Sequence, residues 1–225
     1  MVGWMSDDGF FREVDQELRQ DKAKALWDNY GPAAIGLAVL VVLGTAAYVG
    51  YDYFVSTRAN RSGDAFSQAL NLAHDGKNDE ALAALGQLEK DGHGAYPVLA
   101  RLRAATVLAD KRDTDGAVQA FDAVSADNAV PVSIRDIARL RAGILLVDNG
   151  SYDDVAKRVE VLAVDTNPLR HSARELLGLA AWKEGRLSDA QKFFDQIGND
   201  EAAPRNVRER ANLMTELIRG SGTAS

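Results

Sequence analysis

Three histidines, His74, His93 and His171, are the first residues to weigh for metal or acid–base chemistry. They are 19 and 78 residues apart, whereas zinc sites pair their ligands at intervals of ~2–5 residues. There is no cysteine, so thiolate ligands, thiol nucleophiles and a disulfide framework are all excluded. "DTDG", Asp113 to Gly116, has the opening acids of a calcium loop without the acids that complete one, and reads as a turn between helices. No glycine-rich phosphate loop and no nucleophile elbow occurs. This inventory argues against an enzyme, a cofactor, a bound metal or a small-molecule substrate. A net charge of −7 argues against a nucleic-acid binder, which needs a basic face. What remains is protein recognition, so the elements that would carry a binding surface matter most.

The first such element is "GPAAIGLAVLVVLGTAAYVGY", Gly31 to Tyr51, which has no charged residue. As a helix, about twenty residues reach ~30 Å, the thickness of a bilayer's hydrocarbon core. Trp27 and Tyr30 flank one end, and Tyr48, Tyr51, Tyr53 and Phe54 the other, as aromatic rings do at membrane interfaces. Pro32 suits the first turn of that helix, where its missing N–H costs nothing. The thirty-residue leader holds seven acids, which does not fit a cleaved signal peptide with its short basic start. The segment is therefore expected to be a retained span, 31–54, after a leader, 1–30, that is partly helical. Within ~20 residues of the span, Arg12, Arg19, Lys22 and Lys24 precede it and Arg58 and Arg61 follow it. That bias points the N-terminus to the cytoplasm and the larger part of the chain across the membrane.

After the span the chain repeats itself. "LARLRAATVLAD", Leu99 to Asp110, returns 38 residues later as "IARLRAGILLVD", and "SARELLGLAAWKEG", Ser172 to Gly185, follows after 35 more. Each is succeeded by a second helical pattern: "DGAVQAFDAV", "DDVAKRVEVL" and "SDAQKFFDQI". "GDAFSQALNLAHDGKNDEALAALGQL", Gly63 to Leu88, is an earlier version of the whole unit. Each unit is a pair of helices, A then B, of the tetratricopeptide type. Close approach of A and B needs a small residue: Ala69, Ala105, Gly143 and Gly178 on helix A, and Ala81, Ala117, Val155 and Ala190 on helix B. A large residue follows four positions after the last set, at Leu85, Phe121, Val159 and Phe194. Turn glycines fall at Gly76, Gly150 and Gly185, with Arg112 in that place in the second unit, and Pro97, Pro131, Pro168 and Pro204 are expected to end the units. "NVRERANLMTELIRG", Asn206 to Gly220, is an amphipathic helix expected to cap the stack. The expected fold is all-α: one transmembrane helix, then a four-unit helical-hairpin solenoid over 55–219 with a C-terminal capping helix, and a disordered tail, 220–225.

The leader "FFREVDQELRQDKAKALWDNYGP" followed by one span and by repeats of this kind resembles the YfgM-type ancillary subunits of the Sec translocon. Those are bacterial inner-membrane proteins with a tetratricopeptide-like periplasmic domain. The resemblance implies protein partners: Sec channel subunits, a periplasmic chaperone and exported clients. A scaffold for envelope assembly or cell division, using the same repeat surface, is the alternative.

Solenoids bind along the concave side, lined mainly by helix A. Aligning the units puts Phe66, Leu70, Leu102, Thr106, Leu140, Ile144, Leu179 and Trp182 there. An apolar lining of this sort would suit an extended or helical peptide. The same spacing also describes ordinary core, and periodicity alone leaves both readings open. In the leader, Phe11, Val14, Leu18 and Ala25 share one helical face, interrupted by Asp21. Ala46 and Gly50 form a small-xxx-small pair within the span.

Overall fold

A computed structural model describes residues 7–222, with side chains described at 22 and 24–220. The expected face at Phe11, Val14 and Leu18 therefore lies outside the described side chains. The chain divides into two compact units, Met1–Thr57 and Arg58–Ser225. Every described element is helical: nine α-helices and one short 3₁₀ turn, with no strand among the described residues.

The first helix, α1, runs unbroken over Asp7–His74. It does not begin at Pro32, as the sequence suggested, but passes through it. A proline inside a helix removes one N–H from the ladder and crowds the carbonyl four residues earlier. Helix already formed on both sides is cheap to propagate across one such defect, because nucleation is the costly step. Gly31 lies beneath the Trp27 ring, where a Cβ would sit 3.3 Å from ring atoms. In the first unit the apolar side chains from Ile35 to Phe54 are all exposed, with Leu40 68% and Val42 66% accessible. The hydroxyl of Thr45 donates to the Val41 carbonyl at 2.8 Å, satisfying itself within the helix. Among the described residues this is the one helix long and apolar enough to cross a membrane.

The second unit is a stack of hairpins. The end of α1 pairs with α2 (Asn78–Asp91), α3 (Tyr96–Asp110) with α4 (Thr114–Ala126), α5 (Val132–Asn149) with α6 (Tyr152–Val159), and α7 (Arg170–Lys183) with α8 (Leu187–Gly198). Helix α9, Arg205–Gly222, closes the stack and packs on α8 and α7. It runs through 220–222, part of the tail expected to be disordered, because its buried face continues to Ile218 and carries the last turn with it. Residues 223–225 lie outside the described residues.

Four hydrophobic clusters hold the stack, each shared by a pair and the next helix. Ala69, Leu85, Leu88, Ala100 and Val107 join α1, α2 and α3. Ala105, Phe121, Val124, Ala138 and Ala142 join α3, α4 and α5. Val155, Val159, Leu162 and Leu177 join α6 to α7, and Ala190, Phe194, Ile197, Val207 and Ile218 join α8 to α9. The small residues named from the sequence are all buried, and their large partners, Leu85, Phe121, Val159 and Phe194, are at most 2% exposed. The reason is visible at two of them. A Cβ on Gly143 would lie 2.5 Å from Val159 Cγ1, and one on Gly178 2.8 Å from the Phe194 ring.

Three A-to-B turns share one geometry. Gly76, Arg112 and Gly185 have φ of 76°, 64° and 74°. The next N–H closes back on the helix at each: Lys77 to Leu72, Asp113 to Leu108 and Arg186 to Ala181, at 2.9, 3.0 and 2.9 Å. This is the Schellman closure, which calls for a left-handed residue. Arg112 adopts that conformation without being glycine. Gly150, expected to do the same, is extended at φ −116°. It is small for another reason: a Cβ there would meet Leu146 Cδ2 at 2.9 Å. Its turn is organised by a capping box between Ser151 and Asp154.

Three of the four prolines expected to end the units stand at the start of the next helix. Pro97 sits in the first turn of α3, Pro131 caps α5, and the Pro204 carbonyl accepts from Val207 and Arg208 as α9 begins. Their fixed φ pre-sets a first turn. Pro168 stands two residues before α7.

Two stability changes follow. Gly178→Ala should cost about 1–3 kcal/mol by overpacking against Phe194. Urea unfolding followed by circular dichroism checks this, and Gly178→Ala should cost much less when made in the Phe194→Leu variant than in the wild type; an equal cost in both would exclude that contact as the cause. Arg112→Gly should relieve ~1–2 kcal/mol of left-handed strain and lose ~0.5–1 kcal/mol to chain entropy, a net gain of about 0.5 kcal/mol. Arg112→Ala keeps the strain, so a rise in Tm shared equally by both variants would refute the backbone explanation.

Candidate protein-binding surface

The eight helix A residues named from the sequence divide in the structure. Phe66, Leu102, Leu140 and Leu179 are half-buried and pack against the hydrophobic clusters of their own units. Phe66 also meets Tyr96 of α3, ring centroids 6.0 Å apart and tilted by 55°. These four join neighbouring helices. Leu70 and Thr106 are half-buried. Ile144 and Trp182 are exposed, 51% and 45% accessible, and they are the large apolar groups of the set open to solvent.

The helices that carry those two are tied to their neighbours by polar links. Thr106 donates its hydroxyl to the Leu102 carbonyl and accepts from Arg141 Nη1 at 3.1 Å, linking α3 to α5. Arg210 of α9 reaches Glu175 of α7 through two bonds of 2.6 and 2.8 Å. Lys183, next to Trp182, donates to the carbonyls of Val147, Asp148 and Gly150, at 3.1, 2.7 and 3.1 Å. It thereby satisfies the carbonyl end of α5, where a cation also complements the helix dipole. Sequence reasoning missed these polar links. The signal was present: Thr106 and Arg141, and Glu175 and Arg210, are each 35 residues apart, one repeat. Ile144 and Trp182 are thus exposed on two helices, α5 and α7, that polar bonds tie to each other and to α3 and α9. Exposed aromatic residues, tryptophan above all, are the type enriched at protein interfaces.

A second set of bonds fixes α7, which carries Trp182. Asp200, in the α8–α9 junction, accepts from Arg170 Nε and Nη2 at 3.1 and 3.0 Å and from the backbone N–H of Ala202 at 2.9 Å. His171 Nε2 lies 2.7 Å from the same carboxylate. The His171 hydrogen bond first, then the Ala202 N–H and Arg170, hold the Asp200 carboxyl down at about 2. Arg174, also buried, bonds the Ala163 carbonyl at 3.0 Å and pairs with Asp165. Of the histidines, His171 has its ring in this cluster, His93 gives its backbone N–H to Ser62, and His74 is exposed at the end of α1. No group of three metal-ligating side chains occurs among the described residues.

Residues 24–210 match the family described as tetratricopeptide repeat-like domain. That is more than half of the chain, and the chain belongs to this family. Repeat domains of this class are protein-interaction modules. No curated protein and no solved structure matches the chain.

A carboxylate held below its ordinary value stabilises the fold at pH values where it is ionised, and that contribution fades as pH falls through the folded pKa. For Asp200 the window runs from 3.8, its ordinary value, down to about 2. Asp200→Asn should therefore lower Tm at pH 7, and the gap to wild type should narrow steadily through that window. Thermal melts at stepped pH check this; a gap that stays constant to the acid limit would mean that the carboxylate's charge contributes nothing.

Proposed function

We propose that the chain is a membrane-anchored protein-interaction module, with the apolar part of α1 as its span and the helix A face of its repeats as the binding surface. The fully exposed apolar run from Ile35 to Phe54 supports the anchor. Four basic residues before it against two after it favour a cytoplasmic N-terminus, with the repeats on the far side of a bacterial inner membrane, in the periplasm. The leader's resemblance to YfgM-type subunits supports the finer reading: an accessory subunit of the Sec translocon that binds a periplasmic chaperone or an exported client.

The observation that carries the binding role is the half-exposed Trp182 beside the Lys183 clamp on α5. Burying a tryptophan at an interface is worth more than almost any other single contact. The test is a mild-detergent pull-down of the full-length chain from native membranes, with partners identified by mass spectrometry. Sec channel subunits together with a periplasmic chaperone are expected. Ile144→Ala/Trp182→Ala should cut their recovery about tenfold or more while leaving Tm close to wild type, since both side chains are exposed. Division or wall-synthesis proteins without Sec subunits would instead assign the same face to an envelope scaffold. Undiminished recovery with the double variant would place binding elsewhere.

A further inference from the structure

The string "RLRA" stands on α3 and again on α5, and its two arginines differ in what they meet. The first of each is neutralised: Arg101 pairs with Glu89 and Asp127, and Arg139 with Asp136. The second of each, Arg103 and Arg141, pairs with no carboxylate among the described residues. Arg141 crosses from α5 to α3, where its Nη1 donates to the Thr106 hydroxyl at 3.1 Å, a neutral acceptor that leaves the cation uncompensated. Arg103 lies one turn before Thr106 on the same helix, and its Nε is buried without a hydrogen-bond partner. On the preceding helix A the residue in the place of Thr106 is Leu70, which offers no acceptor. Buried polar groups are ordinarily bonded, so an unpaired guanidinium nitrogen asks for an explanation.

Both arginines belong to a stripe open to solvent. Leu99, Arg103 and Thr106 share one face of α3, and Ile137, Arg141 and Ile144 one face of α5, each set at helical spacing. Leu99, Ile137 and Ile144 are 37%, 38% and 51% accessible. The next acids along these faces, Asp110 and Asp148, stand seven positions beyond the arginines, ~10 Å along the helix. In a chain of net charge −7, two uncompensated cations between exposed aliphatic groups are a local reversal of sign. We propose that this stripe binds an acidic peptide segment, with carboxylates on Arg103 and Arg141 and apolar side chains on Leu99, Ile137 and Ile144. The inference rests on the helix A binding face proposed above and names the chemistry of its partner. A guanidinium takes a carboxylate through two parallel bonds, and the aliphatic flank suits a peptide better than a free anion. In an extended segment an acid at every third residue recurs every ~10 Å, close to the ~8–10 Å between packed helices.

Fluorescence anisotropy of labelled peptides, added to the full-length chain in a mild uncharged detergent, tests this. The probes are a peptide of repeating glutamate, leucine and serine, and the same peptide with glutamine or lysine in place of glutamate. The glutamate peptide should bind about tenfold or more tightly than either. Equal binding of the glutamine peptide would overturn the inference, whatever any variant does. Arg103→Gln/Arg141→Gln should weaken the glutamate peptide about tenfold, and Arg103→Lys/Arg141→Lys, which keeps the charge without the fork, by less. Lys157→Gln/Lys192→Gln, the same loss of charge on α6 and α8, should leave binding unchanged. Undiminished binding by the arginine-to-glutamine variant overturns the site, and an equal loss in the α6/α8 control overturns it by showing diffuse attraction. Recovery of native partners from membranes separates this inference from the role it rests on. If Ile144→Ala/Trp182→Ala loses them while Arg103→Gln/Arg141→Gln keeps them, the face binds and the acid preference alone fails. If both variants keep them, the binding face and this inference fall together.

Discussion

The stack depends on one steric condition: at the crossing of each helix pair, one side chain must be nearly absent so that the opposite one can be large. At Gly178 the partner is the Phe194 ring, and at Gly143 it is Val159. At Ala69 and Ala105, Leu85 and Phe121 belong to the same buried clusters. Bringing the helices this close aims the bulk of helix B at the next helix A rather than at its own partner alone. Each cluster is therefore completed only by the following unit, and no pair buries its apolar surface by itself. Stability becomes a chain of neighbour terms, as expected of a quasi-one-dimensional fold. The polar links obey the same rule. Lys111–Asp79, Arg158–Asp122 and Tyr152–Glu184 join residues 32, 36 and 32 apart, about one repeat each.

That condition is also why so much of the fold was legible. Small and large residues recurring at a constant period are a property of composition along the chain, and they survive without any knowledge of angles. What was not legible depends on angles. Gly150 looked like the other turn glycines, yet it avoids Leu146 rather than adopting a left-handed turn. Arg112 looked like a departure from the pattern, yet the backbone bends there as it does at Gly76 and Gly185. The turn geometry is imposed by the two helices on either side of it. A proline weighed locally suggests a helix start at Pro32, and α1 carries it in its interior.

The binding face shows the same division. Helix A packs on its own helix B, on the helix B before it and on neighbouring helices A. Apolar residues at helical spacing can serve any of them. Phe66, Leu102, Leu140 and Leu179 turned out to serve the packing, and Ile144 and Trp182 to remain open. Only the angle between successive pairs separates these cases, and it is not written in a single repeat. Opposite or complementary polar groups one period apart are the better sequence signal. Arg141 with Thr106 and Arg210 with Glu175 mark which side of helix A faces the next helix A.

Helix α9 follows from this logic and tests its limits. Its link to α7 spans the same 35 residues that join α3 to α5, so it occupies the place of a fifth helix A. Val207, Ala211 and Ile218 fill the fourth cluster, as a helix A should. A helix A also carries a second apolar face, meant for its own helix B. Leu213 and Leu217, one turn apart, are 61% and 51% exposed on α9. A helix made only to seal the stack would be polar on its outer side. Closure and continuation therefore draw on one pattern here: α9 ends the fourth core by beginning a fifth, and its exposed leucines are the trace of the half-repeat it resembles.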